Sequence, residues 1–446
     1  MLFFAAFAAA LTVSQRAAID ALVTSTMKTA HIAGATVAVS VGGSIEYEKA
    51  FGYANLTPKA AAATDTVYPI GSITKQFTAA CVLLLAQDGK LSIDDPLSLY
   101  VPDLPWGNRV TLRHLLDQES GVVDFRSGVV DYTGPVAQSK IIDRLRQTDL
   151  LFAPGSKYEY SNSNYYLLGM VVEKASGKAY AQFLRERVLA PLSLGSTYYN
   201  DGSTPIAALA HGSNAGSDGP QPVAPENADW AYAAGAIAST AADLIRWDEA
   251  LRAGKLLTAA SLTEMMTTGS LDGGKGTDYA FGWVVVKHDG VREVWHNGEV
   301  TGYHAMNATY PDLKTDVVVL TNTGGTFAAD DLAVRIFDAL HPFAPTQRDR
   351  AVAGRAKEWL GRIGRGDVDR TQLTDAMSAV LTDAVVRSAG EQLKSYGPVT
   401  AIRLSSVDED SSGLNYSFKV TCAKRAITWV MGIDAAGKIA ALYFHL

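Results

Sequence analysis

The chain has 446 residues, 48% of them hydrophobic and 19% charged, which is enough apolar material for a large core and more than one domain. The formal net charge of -7 is spread without a basic block, which excludes nucleic acid and other anionic polymers as the partner class. Two cysteines far apart in sequence, Cys81 and Cys422, argue against a structural disulfide, and Cys81 sits in an apolar run as a small buried thiol.

Leu2 to Leu11 is a short apolar run followed by polar Thr12, Ser14 and Gln15, shaped like the core of a signal peptide and too short to cross a bilayer. Residues 1–15 are read as a possible signal-peptide remnant, which implies a periplasmic or secreted protein. The basic n-region is missing, and the alternative is an apolar first helix of a cytoplasmic protein. No other segment is apolar for long enough to form a transmembrane helix.

Ala35–Val41 and Ser44–Phe51, joined by Gly42-Gly43, predict a β-hairpin. Ser72 opens a helix through the apolar Phe77–Leu85, with Gly89 as the stop. Asp94-Asp95-Pro96 and Pro102–Pro105 are turns, and Thr111–Leu116 is a short helix. Helical spacing returns at Ser163–Ala175, Tyr180–Leu189 and Ala241–Leu251, the last capped from Ser239-Thr240. Strands are predicted at Tyr279–Lys287, Val291–Trp295, Tyr303–Tyr310 and Asp316–Leu320. Strands at both ends of the segment enclosing helices predict an α+β domain, an antiparallel sheet flanked by helices with an all-helical subdomain, over residues 16–342. Residues 343–350 form a proline-containing linker. Residues 351–446 form a small α+β domain, helical to Leu393 and then alternating at Leu414, Tyr416, Phe418, Val420, Ile427, Trp429 and Met431, with a last strand at Ile439–Phe444.

Three short motifs carry the chemistry. Ser72 and Lys75 stand three residues apart, so a hydroxyl and an amine share one helical face. A serine at the start of a helix has a backbone N–H free to hold an oxyanion, and a lysine kept partly neutral by burial is its base. Tyr160-Ser161-Asn162 follows the turn Ala153-Pro154-Gly155 and precedes a helix capped by Ser163, an exposed segment held by rigid neighbours. Beside an ammonium a tyrosine loses its proton more easily, which makes Tyr160 a base for Ser72, while the Asn162 amide can hold a substrate carbonyl. His296-Asn297-Gly298-Glu299 is placed just after a strand ending at Trp295. There Gly298 admits close approach of a ligand, and the N–H of Glu299 completes an oxyanion hole with Ser72. There is no H-E-x-x-H or C-x-x-C metal pattern, no G-x-S-x-G elbow, and Gly273-Gly274-Lys275-Gly276 precedes a strand, so neither metal nor cofactor is expected.

Taken together and in this order, Ser72-x-x-Lys75, Tyr160-x-Asn162 and His296-x-Gly298 resemble the motifs of the penicillin-recognising serine hydrolases, closest to the class C β-lactamase group with its esterases and D-stereospecific peptidases. Gly71–Thr78, Gly89–Pro96, His114–Leu116, Phe152–Gly155, Tyr160–Tyr165 and Ala238–Leu244 extend the resemblance over roughly residues 16 to 340. It implies a β-lactamase/transpeptidase-like fold and an acyl-enzyme on Ser72, whose proton Lys75 and Tyr160 exchange. Asn162 would position the acyl side chain, the Ser72 and Glu299 amides would hold the oxyanion, and His296 would line the pocket. The implied partner is a small ester, amide or peptide. The C-terminal domain resembles cystatin-like or nuclear-transport-factor-like modules.

Two positions depart from the family pattern. Lysine is usual where His296 stands, and a neutral imidazole disfavours binding of a β-lactam carboxylate, so an esterase or D-stereospecific peptidase is expected ahead of a β-lactamase or DD-carboxypeptidase. Asp117-Gln118-Glu119-Ser120-Gly121 is more acidic than the usual stretch and is read as a solvated loop. The rival from another class is a non-catalytic relative that binds peptidoglycan or self-assembles, and oligomeric state is open.

Overall fold

A computed structural model describes residues 10–126, 136–202, 206–224 and 227–445. The first eight residues of the apolar run Leu2–Leu11, up to residue 9, lie outside these, and with them most of the signal-peptide reading. Two compact units are present, one of Met1–Val285 with Glu293–Leu340 and one of Val286–Arg292 with His341–Leu446.

The first unit begins with helix α1 (Val13–Thr29), closed at its start by a reciprocal capping box between Thr12 and Gln15. Strands β1 (Gly34–Val41), β2 (Ser44–Leu56) and β3 (Lys59–Ala61) are followed by α2 (Thr74–Gln87), α3 (Leu112–Leu116), α4 (Asn162–Ser176) and α5 (Ala241–Arg252). The chain then returns to the sheet as β4 (Trp283–His288), β5 (Val291–Val300), β6 (Tyr303–Tyr310) and β7 (Thr315–Thr321) and closes with α6 (Ala328–Leu340). Neighbour order is β4-β5-β6-β7-β1-β2-β3, so the first hairpin and the last strands share one sheet through the antiparallel pair of β1 and β7, Ala35 opposite Thr321 to Val41 opposite Thr315.

Every residue of β6 and β7 is buried, which requires cover on both faces. Ala38, Ala305, Val318 and Leu320 join the large core of the helical layer. Their sequence neighbours Val37, Val39, Val317 and Val319 point the other way by strand alternation, towards the side where α6 packs on β6, β7 and α1. Tyr310 of β6 stacks on Phe337 of α6 with ring centroids 3.6 Å apart.

Helix α2 is buried from Thr74 to Leu85, as befits a helix apolar on all sides. Its first turn is tighter than the sequence predicted: Ser72 lies in a 3-10 turn, Gly71–Ile73, and the α-helix proper starts at Thr74. Cys81 lies in the middle of α2 and is a free thiol. Among the described residues no helix is long and apolar enough to cross a membrane.

In the second unit α7 (Gln347–Arg365) and α8 (Asp383–Ser395) accompany an antiparallel meander of β8 (Val399–Asp410), β9 (Gly413–Cys422), β10 (Ala426–Ile433) and β11 (Ile439–His445). Trp359, Trp429, Phe418 and Met431 centre its own core.

Candidate active site

Ser72, Lys75, Asn162 and Tyr160 meet at the start of α2. Lys75 is fully buried, and its Nζ lies 2.9 Å from Ser72 Oγ, 2.9 Å from Asn162 Oδ1 and 2.8 Å from the carbonyl oxygen of Ala234. Burial holds its pKa well below that of an ordinary lysine, against the opposing pull of Asp124. A neutral amine has two hydrogens and one lone pair. In a neutral amine Asn162 Oδ1 and the Ala234 carbonyl, which only accept, would take the two hydrogens and leave the lone pair for the Ser72 hydroxyl, which can donate; in an ammonium all three contacts are donated by Nζ.

Tyr160 lies on the other side, with Lys75 Nζ 4.9 Å from its ring centroid and its phenol close enough to Ser72 for the serine to act on its pKa. The sequence predicted a phenol acidified by a neighbouring ammonium. Burial instead raises its pKa, and Ser72 only partly opposes this. The physical reason is shared: the burial that disfavours a charged lysine also disfavours a charged phenolate beside it. Tyr160 therefore rests as a protonated phenol.

Strand β5 runs straight through the third motif. The strand predicted to end at Trp295 continues to Val300, with His296 opposite Asn307, Gly298 opposite Ala305 and Glu299 opposite His304 on β6. Alternation buries Val294, His296 and Gly298 on one face. The Glu299 side chain points elsewhere, accepting from the N–H of Gly325 at 3.2 Å, so only its backbone faces the serine turn. That backbone is very close. A Cβ on Gly298 would stand 1.9 Å from the Ile70 carbonyl oxygen and 2.9 Å from the Ser72 nitrogen, and one on Gly71, whose φ is +51°, would stand 2.7 Å from the Glu299 nitrogen. Glycine at both positions is what lets the two chains carry the Ser72 and Glu299 N–H groups side by side.

His296 is buried, and both ring nitrogens are engaged. Nδ1 donates to the Asn297 carbonyl at 2.6 Å, which leaves Nε2 to accept from the Tyr279 hydroxyl at 3.1 Å. Burial foremost, with the charge of Lys75 second, lowers its pKa to about 3. The imidazole is neutral and presents no cation to a substrate. Tyr160, Tyr279 and His296 form an aromatic wall, with centroids 6.0 Å apart for the two tyrosines and 5.8 Å for Tyr279 and His296.

The segment read as a solvated loop is buried instead: Asp117, Gln118, Glu119 and Ser120 are each at most 5% exposed. Its polar side chains hold the second motif. Gln118 Oε1 accepts from the N–H of Ser161 at 2.9 Å and from Asn164 Nδ2 at 2.5 Å, and Ser120 donates to Asn164 Oδ1 at 2.6 Å. Burial, with Glu119 adding to it, pushes the Asp117 carboxyl up to about 8, and burial then Asp272 pushes Glu119 up to about 7. Sequence reasoning passed over Gln118, Asp124 and Tyr279. The only signal for the first two was the polarity of the segment.

A model of the Beta-lactamase family matches residues 19–341. A penicillin-binding protein of Bacillus subtilis (strain 168) is 31% identical over 310 residues, 66% of this chain and 68% of that protein. The D-amino acid amidase from Ochrobactrum anthropi SV3, solved in complex with L-phenylalanine amide, superposes with a TM-score of 0.66 at 25% identity, covering 73% of this chain and 98% of the amidase. An octameric penicillin-binding protein homologue from Pyrococcus abyssi has the same fold over 94% of this chain and 96% of its own, with a TM-score of 0.63 at 21% identity. The α+β fold is that of the β-lactamase/transpeptidase-like structures, as the three motifs implied, and the chain belongs to the Beta-lactamase family.

Proposed function

We propose that this hydrolase acts through an acyl-enzyme on Ser72 and cleaves small esters and amides, including D-amino acid amides or peptides, in preference to β-lactams. The observation that carries the reading is the buried Lys75 Nζ held 2.9 Å from Ser72 Oγ, with the acceptors Asn162 Oδ1 and the Ala234 carbonyl placed to take the two hydrogens of its neutral form. In acylation the Ser72 proton passes to Lys75 as Oγ bonds to the substrate carbonyl carbon, and the electron pair moves to the carbonyl oxygen. The Ser72 and Glu299 N–H groups hold that oxyanion, a contribution of roughly 3–4 kcal/mol per donor. Collapse breaks the bond to the leaving group, which takes a proton from the Tyr160 phenol, and Tyr160 recovers it from the Lys75 ammonium. Water repeats the sequence in reverse to release the acid.

Substrate preference follows from His296. A neutral, internally bonded imidazole offers nothing to a carboxylate, so substrates that rely on one are poorly held. The similarity to an amidase solved with an amino acid amide supports an amide without a carboxylate as substrate. The test is hydrolysis of p-nitrophenyl acetate, D-phenylalanine amide and a chromogenic cephalosporin by the wild type and by Ser72→Ala. Ester or amide turnover that Ser72→Ala abolishes, with the cephalosporin spared, is expected. Preferred turnover of the cephalosporin would reverse the substrate assignment, and activity that survives Ser72→Ala would remove the mechanism.

A further inference from the structure

Asn162 is the first residue of α4, where the leading N–H groups have no partner within the helix. Ser161, at the N-cap position, gives no side-chain cap, and its hydroxyl is buried without a hydrogen bond. The cap comes from a different segment. Asp124 Oδ2 accepts from the Asn162 backbone N–H at 3.1 Å and from Asn162 Nδ2 at 2.9 Å, while its Oδ1 accepts from the Arg126 N–H at 2.8 Å. Ser163 fastens the same segment to the helix, donating to the Val123 carbonyl at 2.7 Å and accepting from the Phe125 N–H at 2.9 Å.

One carboxylate oxygen thus does two things to Asn162. It holds the start of α4, and it decides which end of the amide points where: with Nδ2 drawn to Asp124, Oδ1 is the end that faces Lys75 Nζ. A flipped amide would set NH₂ against the lysine, and a neutral amine would then have to turn its lone pair to Asn162 and away from Ser72. We infer that Asp124 is a positioning residue of this site, acting through Asn162 to aim the Lys75 lone pair at the Ser72 hydroxyl.

The same anion also acts on Lys75 through space. The groups around the amine are Ser72 on its own turn, Asn162 of α4, the Ala234 carbonyl, the rings of Tyr160 and Tyr165 at 4.9 and 5.7 Å, and His296 of β5. Asp124 favours the charged amine and Arg126 opposes it. Asp124 therefore orients the base and, at the same time, delays its deprotonation.

The inference rests on the serine-hydrolase reading, and its experiment separates the two. Rates of p-nitrophenyl acetate hydrolysis are compared for wild type, Asp124→Ala, Asp124→Asn, Asn162→Ala and the Asp124→Ala/Asn162→Ala double variant, below each unfolding midpoint. Asp124→Ala should lower kcat by about tenfold or more with little change in KM, and should cost nothing further once Asn162 is already alanine. Asp124→Asn keeps an oxygen acceptor for the helix start but no charge, so the acid limb of its kcat/KM profile should move to lower pH. This variant carries the test should the alanine variants fail to fold. Losses that multiply in the double variant, or an acid limb that stays in place in Asp124→Asn, would overturn the inference. A wild type whose activity survives Ser72→Ala would instead remove the reading beneath it.

Discussion

Gly298→Ala tests the geometry of the oxyanion site. The added methyl would stand 1.9 Å from the Ile70 carbonyl oxygen, 2.8 Å from its carbon and 2.9 Å from the Ser72 nitrogen, all backbone atoms that no rotamer change can move. Ordinary contacts for such atoms begin near about 3.5 Å, so β5 and the serine turn must separate by roughly 1 to 1.5 Å. An oxyanion donor is effective only at about 2.7–3.1 Å, and a retreat of that size removes the Glu299 N–H from the pair. The expected loss is roughly 3 kcal/mol of transition-state stabilisation, about a hundredfold in kcat, with KM changed only a few-fold because the ground-state carbonyl depends little on this donor. Lys75 and Ser72 lie on the other side of the contact, so Ser72 should still be labelled by a fluorophosphonate. The assay is kcat and KM for p-nitrophenyl acetate beside a thermal unfolding curve. A folded variant whose kcat stays within about threefold of wild type would show that β5 does not furnish the donor.

Tyr279→Phe deletes the donor to His296 Nε2 and leaves a buried acceptor unpaired, which should lower stability by about 1–3 kcal/mol. An unchanged unfolding midpoint would contradict the assigned tautomer. Because the His296 pKa is held near about 3, no histidine limb from this residue should appear in the activity profile between about pH 5 and 8, and its imidazole NMR shifts should stay flat there. Asp117 has a folded pKa raised to about 8, so the folded state keeps a proton that the unfolded chain releases from about pH 4 upward. Its contribution is complete below that point and is lost as the pH rises to about 8, at about 1.4 kcal/mol per pH unit. Asp117→Asn should therefore flatten the fall in unfolding midpoint over that window and be the more stable protein at its upper end, whereas parallel pH slopes for the two proteins would refute this.

The Ser72–Lys75 pair was legible because local geometry alone sets it: two residues three apart on one helical face meet whatever the rest of the chain does. The first hairpin and the strands returning near the end of the first unit were legible for the same reason, since alternation and β-branched residues mark them one by one. The end of β5 was not. His296 and Gly298 interrupt the apolar pattern because their face meets the serine turn, Asn297 between them turns to Asp330 of α6, and pairing with β6 keeps all three extended. Asp117–Ser120 reads as solvated since polarity normally means exposure, and only tertiary partners on Ser161 and Asn164 explain its burial. Strand β8 was missed because it is half exposed and carries Arg403, Asp408 and Glu409 among its residues, so its register on β9 defines it better than its composition.

Burial is the common cause behind the chemistry of this site. An amine sunk in an apolar helix is expensive to charge, and that penalty holds the Lys75 pKa well below the usual lysine range. The same environment keeps the Tyr160 phenol protonated and the His296 imidazole neutral. What burial does not supply is direction. A neutral amine can point its lone pair at any donor nearby, and only acceptors that take both of its hydrogens force the lone pair towards Ser72. Ala234 contributes a backbone carbonyl, which cannot flip. Asn162 contributes an amide, which can, so the Asp124 contact on its far end fixes which end of that amide meets Lys75.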